Sequence, residues 1–248
     1  MTPDPLFDFT GKVALVTGGS RGLGYQMARA LAERGADLII ASRKIDACEA
    51  VAAEIRAMGR RALPFAAHVG KWAECDALLA AAYGEFGRID LLINNAGMSP
   101  AVASHDIPEN LFDSVLNLNF KGPFRLASQA AHQMAAGTGG AILNISSIAS
   151  TRATPMVVPY AGAKAALNAM TQSLAREYAP KVRVNTIIAG AFLTDIAEAW
   201  SPEMRESQPV ALGRPGHPEE IVTAALMLLS PASSYTTGAL LPVDGGAA

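Results

Sequence analysis

Tyr160 and Lys164 are the two residues whose types and spacing most directly suggest chemistry. They lie four apart near the start of a segment with helical periodicity, so their Cβ atoms are neighbours about 5–6 Å apart. A phenol pKa of about 10 must fall to about 7, a difference of about 4 kcal/mol, for acid or base work at neutral pH. An ammonium about 4 Å away supplies roughly that much at an effective dielectric constant of about 20. The pair predicts proton transfer, although a Tyr and a Lys at this spacing are more often an exposed helix pair.

A glycine-rich segment, T-G-G-S-R-G-L-G, follows the first apolar run of the chain. Gly18, Gly22 and Gly24 are spaced for a tight turn, a close backbone approach and the first turn of a helix, which suits the pyrophosphate of a dinucleotide. An ordinary glycine-rich turn between a strand and a helix has the same pattern. The position at the first junction between a strand and a helix favours the dinucleotide interpretation.

The elements that must position these residues alternate between short apolar runs and longer helical stretches. Strands are predicted at Lys12–Thr17, Leu38–Ala41, Ala62–Ala66, Leu91–Ile93, Ala141–Ile145, Val182–Ile188 and Leu240–Val243. Helices are predicted at Leu23–Arg34, Ala47–Met58, Ala73–Phe86, Lys121–Ala136, Ala161–Tyr178 and Pro218–Leu229. This order predicts a doubly wound, Rossmann-type α/β fold with a parallel sheet of about seven strands and helices on both faces. Ligands of such sheets bind beyond the carboxyl ends of the strands, where the glycine-rich segment falls.

Length and composition bound the function. The chain has 248 residues, 50% of them hydrophobic, and no linker divides it, so residues 1–248 are predicted to form a single domain. A formal net charge of −2 gives no basic surface for nucleic acid. The apolar runs are too short for a bilayer and the first residues lack a secretory pattern, so we expect a cytoplasmic protein without membrane contact. Cys48 and Cys75 have neither disulfide nor metal-ligand spacing, so we expect reduced thiols and no metal.

Residues 191–213 follow the sixth predicted strand and have no strong periodicity. The segment carries Phe192, Ile196 and Trp200, which are large enough to cover a bound ligand. Long irregular segments in compact domains are commonly functional. We therefore predict that residues 191–213 form a lid over the substrate.

The ordered motifs of the chain resemble those of the short-chain dehydrogenase/reductase family over nearly the whole length. The shared motifs are the glycine-rich segment Thr17–Gly24, N-N-A-G at Asn94–Gly97, Asn119 in N-F-K-G, I-S-S ending at Ser147, Y-A-G-A-K at Tyr160–Lys164 and V-D-G-G at Val243–Gly246. The resemblance implies that Ser147 hydrogen-bonds the substrate oxygen and Tyr160 exchanges its proton. Lys164 would lower the Tyr160 pKa and hold the nicotinamide ribose. Asn119 would support a water between Lys164 and solvent.

The same resemblance implies which residues bind a nicotinamide dinucleotide. Asn95, Ala96 and Gly97 would lie beside the adenosine ribose, and Thr194 would orient the nicotinamide carboxamide. The complete expected set is Gly18, Ser20, Arg21, Gly22, Leu23, Gly24, Ser42, Arg43, His68, Val69, Asn95, Ala96, Gly97, Tyr160, Lys164, Gly190, Phe192 and Thr194. Two positions depart from the family pattern, with His68 in place of the usual aspartate and Ala189 in place of a frequent proline. His68 is interpreted either as an adenine contact or as a satisfied surface histidine.

The residues after the second predicted strand bear on the choice between NAD and NADP. An NAD enzyme needs a carboxylate there for the ribose hydroxyls, whereas this chain has Ser42, Arg43 and Lys44. Together with Arg21, Arg43 offers forked guanidinium donors that suit a 2′-phosphate, which favours NADP (NADPH) as the cofactor. The alternatives are that both arginines are solvated surface residues and that Asp46 reaches the ribose.

The resemblance implies hydride transfer between NADP(H) and a carbonyl or secondary alcohol of a small molecule. It favours a 3-oxoacyl thioester, because the 3-oxoacyl-carrier-protein reductase branch is the most similar, with gluconate-type polyol dehydrogenases nearly as similar. Candidate pocket residues are Ser99, Arg152, Met156, Val157, Phe192 and Trp200. Arg152 is interpreted as a receptor for an anionic substrate or, preferably, as a surface residue.

Two further expectations concern the protein as a whole. A catalytically idle dinucleotide-binding regulator is disfavoured, because Ser147, Tyr160 and Lys164 are all present. The resemblance also implies a homotetramer in which helices around Asn119–Ala136 and Ala161–Tyr178 pair between subunits.

Overall fold

The strands form one parallel sheet at the positions that the sequence predicts. The computed structural model describes residues 4–195, 197 and 200–247, and within them the strands are β1 Val13–Thr17, β2 Asp37–Ser42, β3 Ala62–Ala66, β4 Leu91–Asn94, β5 Gly140–Ser147, β6 Val182–Ala189 and β7 Leu240–Val243. Their order across the sheet is β3-β2-β1-β4-β5-β6-β7, and every neighbouring pair is parallel. The doubly wound α/β prediction is confirmed.

Helices cover both faces of the sheet. In the described part of the chain they are α1 Gly22–Ala32, α2 Ile45–Ala57, α3 Trp72–Phe86, α4 Glu109–Leu116, α5 Gly122–Ala136, α6 Val158–Glu177, α7 Pro202–Glu206 and α8 Val222–Leu229. One buried cluster joins α1, α2 and α8 to strand residues such as Ile40, and the other joins α3, α5 and α6 to strand residues such as Ile39. Successive residues of a strand point to opposite faces, so the sheet is apolar on both sides.

The largest departure from the predicted elements lies before α5. The sequence predicts no element between Ile93 and Lys121, whereas α4 leads into a π-helical turn at Asn117–Lys121 and then into α5. The wide π turn shifts the apolar spacing, so the helical period is interrupted. Gly122 is required at this junction, because a Cβ atom there would lie 1.8 Å from the carbonyl oxygen of Val69.

The order of the strands reverses direction between β1 and β4, where the sheet opens a crevice at the carboxyl ends of its strands. The loops that leave β1, β4, β5 and β6 meet around this crevice. Away from it, Cys48 and Cys75 are buried and form no disulfide in the described part of the chain. None of the helices in the described ranges is both long and apolar enough to cross a bilayer.

Candidate active site

The first turns of α6 hold Tyr160 and Lys164 against the end of β5. Lys164 is 4% exposed, and its Nζ donates a hydrogen bond to the carbonyl oxygen of Ile145 at 2.7 Å. The Ser146 hydroxyl donates to the carbonyl oxygen of Lys164 at 3.3 Å, which attaches the helix backbone to the same strand. Lys164 Nζ lies 5.7 Å from the centre of the Tyr160 ring. The structure therefore brings the predicted pair together, with the lysine held by the strand.

The pKa of Tyr160 is raised above its ordinary value of 10. Burial is the main cause, and a hydrogen bond with Ser147 opposes it without reversing the direction. Burial disfavours the phenolate, and the Lys164 ammonium is directed to the Ile145 carbonyl. The expected lowering of the Tyr160 pKa by Lys164 therefore stays a prediction. The Tyr160 phenol stays protonated at neutral pH and is a proton donor there.

Burial shifts the lysine in the opposite sense, and it lowers the pKa of Lys164 from 10.5 to about 8. Desolvation disfavours the charged form of any group, which is the ammonium for a lysine and the phenolate for a tyrosine. Because this pKa still lies above 7, most of the Lys164 side chains carry their charge at neutral pH. The crevice thus combines a neutral acid with a buried cation.

Ser147 ends β5 and presents its hydroxyl to the same place. Its Oγ accepts a hydrogen bond from the backbone N–H of Ala149 at 3.2 Å, and its hydroxyl bonds the Tyr160 side chain. The backbone contact fixes the rotamer of the serine. Two hydroxyl groups that are already adjacent can both donate to a single carbonyl oxygen of a ligand.

Asn119 lies in the π-helical turn and is fully buried. Its Nδ2 donates to the carbonyl oxygens of Met98 at 2.9 Å and Val115 at 3.0 Å. Its Oδ1 is buried and has no hydrogen-bond partner among the residues described. A Cβ atom on Gly97 would lie 2.8 Å from this oxygen and 3.7 Å from Lys164 Nζ. Because Gly97 has no side chain, space remains between the unpaired Asn119 Oδ1 and the Lys164 ammonium.

A chain of buried polar side chains crosses the sheet beneath these residues. Asn94 Nδ2 donates to Asn144 Oδ1 at 2.9 Å, and Asn144 Nδ2 donates to Thr171 Oγ1 at 2.8 Å. Thr171 Oγ1 lies 2.7 Å from Thr186 Oγ1, and all four residues are at most 3% exposed. The chain joins α6 to β4, β5 and β6. The role of these side chains in joining the helix to the sheet was not predicted from the sequence. The signal that could have indicated it is the presence of polar residues inside otherwise apolar strands.

The glycine-rich turn after β1 leaves no space for side chains. A Cβ atom on Gly18 would lie 2.8 Å from Asn95 Nδ2, and one on Gly24 would lie 2.3 Å from the carbonyl oxygen of Gly18. Asn95 Nδ2 donates to the carbonyl oxygens of Thr17 at 3.0 Å and Gly18 at 3.2 Å, which locks the turn. Within the described residues no side chain caps the start of α1 at Gly22, so its first N–H groups are available to an anion. This cradle fits the pyrophosphate of a dinucleotide.

The loop after β6 contacts the glycine-rich turn. A Cβ atom on Gly22 would lie 3.3 Å from Thr194 Cγ2, and Arg21 Nη1 forms an ion pair with Asp195 Oδ2 at 2.6 Å. Arg21 is therefore an exposed residue with a carboxylate partner at the surface, and a ligand phosphate would have to share or replace that partner. Arg43 is exposed just beyond the end of β2.

His68 is partly buried, and its ring is already engaged. His68 Nδ1 accepts a hydrogen bond from the backbone N–H of Gly70 at 3.2 Å, so the proton of a neutral ring is on Nε2. The ring therefore offers a ligand a donor, where the aspartate of the family pattern would offer an acceptor. The hydrogen bond from Gly70 is compatible with His68 as a satisfied surface histidine, and its contact with adenine stays a prediction. Val69 is buried beside it.

The predicted lid has more structure than its sequence suggests. Phe192 is 7% exposed and belongs to the core cluster on the side of α1 and α8, so the expectation that its ring covers the substrate is wrong. Helix α7 lies inside the segment and is capped by the Ser201 side chain, which accepts from the N–H of Met204. Trp200 is partly buried. Residues 196, with the expected contact of Ile196, and 198–199 lie outside the described residues.

The residues that directly precede α6 carry a constrained backbone. Met156 adopts a left-handed conformation with φ of 69°, which is uncommon for a bulky residue. Its carbonyl oxygen accepts from the N–H of Val102 at 2.8 Å, and its side chain is exposed. This contact ties the loop after β4, which includes Ser99, to the start of α6 beside Val157.

Comparison with known proteins shows the class to which this site belongs. A model of the short chain dehydrogenase family matches residues 12–205 of the chain. The chain therefore belongs to the short-chain dehydrogenase/reductase family, and it is an oxidoreductase of a family that binds a nicotinamide dinucleotide.

Relatives at comparable distance carry different names. The chain is 37% identical over 247 residues to an NAD-dependent glycerol dehydrogenase of Listeria innocua, covering 98% of this chain and 96% of the relative. It is 37% identical over 241 residues to a 3-oxoacyl-[acyl-carrier-protein] reductase of Chlamydia trachomatis, covering 96% and 97%. The solved structure of a 7α-hydroxysteroid dehydrogenase with NADH and 7-oxo glycochenodeoxycholic acid is similar with a TM-score of 0.94 and 33% identity, covering 100% and 98%.

Proposed function

We propose that this protein reduces a carbonyl group of a small molecule with NADPH, or oxidises the corresponding secondary alcohol with NADP⁺. The observation that carries the proposal is the hydrogen-bonded pair of Ser147 and Tyr160 beside Lys164 at the carboxyl end of β5. Both hydroxyls would donate to the substrate oxygen, and Tyr160 would transfer its proton as charge develops there. The bound nicotinamide supplies the hydride, and the protein contributes placement and proton transfer.

Lys164 and Asn119 would return a proton to Tyr160 after each reduction. Lys164 carries a proton at neutral pH because its pKa of about 8 lies above 7. The open Oδ1 of Asn119 borders the same space beside Gly97 and can accept a hydrogen bond from a water molecule. A water held there would connect the ammonium to solvent.

The raised pKa of Tyr160 supports reduction as the favoured direction at neutral pH. A protonated phenol can donate at once to a carbonyl oxygen. Alcohol oxidation needs the phenolate as a base, which burial disfavours. Oxidation should therefore accelerate with rising pH, whereas reduction should slow.

The preference for NADP(H) is supported by the exposed Arg43, which lies just after β2 where an NAD enzyme needs a carboxylate. Arg21 would join it only by sharing or leaving its ion pair with Asp195. Because the side chains of Arg21 and Asp195 are both exposed, breaking their ion pair costs only about 0–1 kcal/mol. The NAD-dependent relative is the reason to test both cofactors.

A 3-oxoacyl thioester is the proposed substrate, supported by the similarity to the 3-oxoacyl reductase. A polyol or keto sugar is the second candidate, supported by equal identity to the glycerol dehydrogenase. The test is NADPH consumption with acetoacetyl thioester, keto sugars, diketones and ketosteroids. We expect the thioester to give the highest kcat/KM, and a higher value for a keto sugar would favour the second candidate. Binding of NADPH without turnover of any compound would support the idle regulator instead.

We also propose a cytoplasmic homotetramer built through α4, α5 and α6. Phe112 on α4 and Phe124 on α5 are exposed apolar rings, and the Phe124 ring lies 6.3 Å from that of Trp72. Light scattering at micromolar concentration should give about four times the chain mass of 25.8 kDa. A mass equal to one chain would contradict the assembly without affecting the catalytic proposal.

A further inference from the structure

Arg152 lies five residues after Ser147 and reaches the segment that follows β7. Its Nη2 lies 3.6 Å from Asp244 Oδ2 and donates a hydrogen bond to the carbonyl oxygen of Ala247. The Asp244 side chain is 11% exposed and that of Arg152 34%, so this pair is better shielded than the pair of Arg21 and Asp195. Shielded pairs are screened less by water and salt. Neither sequence interpretation of Arg152, a surface residue or an anion receptor, describes these contacts.

Residues 244–247 in turn hold the end of the predicted lid. The N–H of Ala211 donates to the carbonyl oxygen of Gly246 at 3.1 Å, and the N–H of Leu212 donates to that of Gly245 at 3.0 Å. Val210 and Ala247 form an antiparallel bridge. A Cβ atom on Gly246 would lie 2.8 Å from the Ala211 Cβ, so the two backbones approach closely. The end of the lid is therefore paired with this segment as a short two-stranded ladder.

Asp244 also contacts the place where the lid begins. A Cβ atom on Gly190 would lie 2.6 Å from Asp244 Cα, and the N–H of Gly190 donates to the carbonyl oxygen of Val243 at 2.9 Å. Asp244 Oδ1 accepts from the N–H of Gly246 at 3.0 Å, which turns the chain toward the ladder. Both ends of residues 191–213 are thus attached to the segment that Arg152 holds.

We infer that Arg152 is a positioning residue that holds the lid through residues 244–247 and links it to the loop that carries Ser147. Its guanidinium is directed to Asp244 and to the Ala247 carbonyl, so its charge serves the protein and not an anionic substrate. The substrate class that fits is therefore a ketone whose binding does not depend on a negative charge at Arg152. The inference rests on the proposed function in one respect, that residues 191–213 cover the substrate.

A double-mutant cycle tests this link. Arg152→Met removes the contacts of the guanidinium with Asp244 and with the Ala247 carbonyl, and Asp244→Asn removes the charge while keeping the oxygen that accepts from Gly246. Each variant should be cleaved by trypsin after Arg205 about three- to tenfold faster than the wild type. Each should also raise KM by a similar factor, with the NADPH dissociation constant within about twofold of the wild type. The cleavage rate and KM of the double variant should not exceed those of the more strongly affected single variant, because both substitutions break the same link.

Matched controls separate the link from general destabilisation. Arg29→Met removes an arginine from an exposed ion pair on α1 and should change neither cleavage nor KM. Arg152→Lys should be intermediate, because it keeps a charge for Asp244, and it replaces Arg152→Met if that variant does not fold. Thermal unfolding of the variants should remain cooperative.

Two results would overturn the inference. The first is that the effects of the two single substitutions on the cleavage rate and KM multiply in the double variant, while KM rises only for anionic ketones. This result would place Arg152 in contact with the substrate. The second is unchanged cleavage after Arg205 in both single variants. Cleavage and NADPH binding need no turnover, so they decide the role of Arg152 even if the panel of ketones shows no activity and the proposed function fails.

Discussion

The proposed catalytic residues and the proposed lid, residues 191–213, are held in different ways. Lys164 and Asn119 are buried and bond to main-chain carbonyl groups, and a chain of buried side chains fastens α6 to three strands. The lid is attached at its start by backbone hydrogen bonds of residues 191 and 193 with Gly216 and by the exposed pair of Arg21 and Asp195, and at its end by a two-bond ladder. Breaking a buried hydrogen bond costs about 1–3 kcal/mol, whereas an exposed ion pair is worth about 0–1 kcal/mol.

This difference matches the demands on the two regions. Proton transfer needs donors that keep their positions to a fraction of an ångström, so they lie on helices and strands with buried partners. Ligand entry needs contacts that break and reform, so they lie at the surface. Variants of the catalytic region should therefore change turnover or folding, and variants of the lid should change binding and cleavage.

The largest effect is expected from Tyr160→Phe. The substitution removes the proton donor and leaves the glycine-rich cradle intact, so kcat should fall about 10²–10⁴-fold. The dissociation constant of NADPH, measured by fluorescence titration, should stay within about twofold. Lys164→Ala should weaken both turnover and NADPH binding. Near wild-type turnover in Tyr160→Phe would remove Tyr160 from the proposed acid role.

Thr171→Val should destabilise the fold by about 1–3 kcal/mol, because it leaves Asn144 Nδ2 without its buried acceptor. The free energy of unfolding in urea measures this change. Ser173→Ala on the same helix is the control, since the Ser173 hydroxyl is exposed and bonds only the Ala169 carbonyl among described groups. The control should lie within about 0.5 kcal/mol of the wild type. Equal stability of both variants would show that the buried chain does not fasten α6.

Lys164→Met should change how stability depends on pH. The pKa of Lys164 is lowered to about 8 in the folded protein from an ordinary 10.5, so the unfolded chain binds more protons between these values. The free energy of unfolding of the wild type should therefore rise with pH through this window relative to the variant. Between pH 8 and 10 the difference should reach up to about 2 kcal/mol. Urea unfolding at both pH values without dinucleotide measures it, and parallel behaviour would contradict the buried ammonium.

The residues that would meet the adenosine ribose of the cofactor should make the enzyme prefer NADPH to NADH. We expect kcat/KM to be at least about tenfold higher with NADPH, which corresponds to about 1.4 kcal/mol. Ser42→Asp combined with Arg43→Ala should invert the preference, because a carboxylate accepts from ribose hydroxyls and repels a 2′-phosphate. Steady-state kinetics with both cofactors provides the measurement. Equal use of NADH and NADPH by the unmodified protein would end the NADP assignment.

The smallest effect is expected at the start of the lid. Asp195→Asn removes an exposed ion pair and should speed tryptic cleavage after Arg205 by no more than about fivefold, the equivalent of about 1 kcal/mol. Saturating NADP⁺ should slow cleavage of the wild type several-fold. Thr194 lies beside Gly22 at the start of the lid, so a bound cofactor could contact the lid there. Equal rates with and without NADP⁺ would mean that the lid is already packed in the free protein.

Much of the fold was predictable because its signals are local. Seven β-branched and apolar runs became strands within one or two residues of their predicted bounds. The helices that start at Glu109 and Pro202 were missed, because the first runs into a π turn and the second is only five residues long. The ring of Phe192 was misplaced because a large apolar residue after a strand can face either the core or the crevice, and only packing against Gly216 decides.

The sequence by itself determined the order of the elements, the glycine-rich turn and the four-residue spacing of Tyr160 and Lys164, because turn conformation and helical spacing depend on neighbours along the chain. The roles of Asn119 and Ser147 came from the resemblance to the family and stay predictions. Only the tertiary structure decided which charges meet. It directed Lys164 to the Ile145 carbonyl, paired Arg21 with Asp195 and Arg152 with Asp244, and raised the Tyr160 pKa by burial. These outcomes depend on distance and solvent exposure between segments far apart in the chain, which residue spacing does not encode.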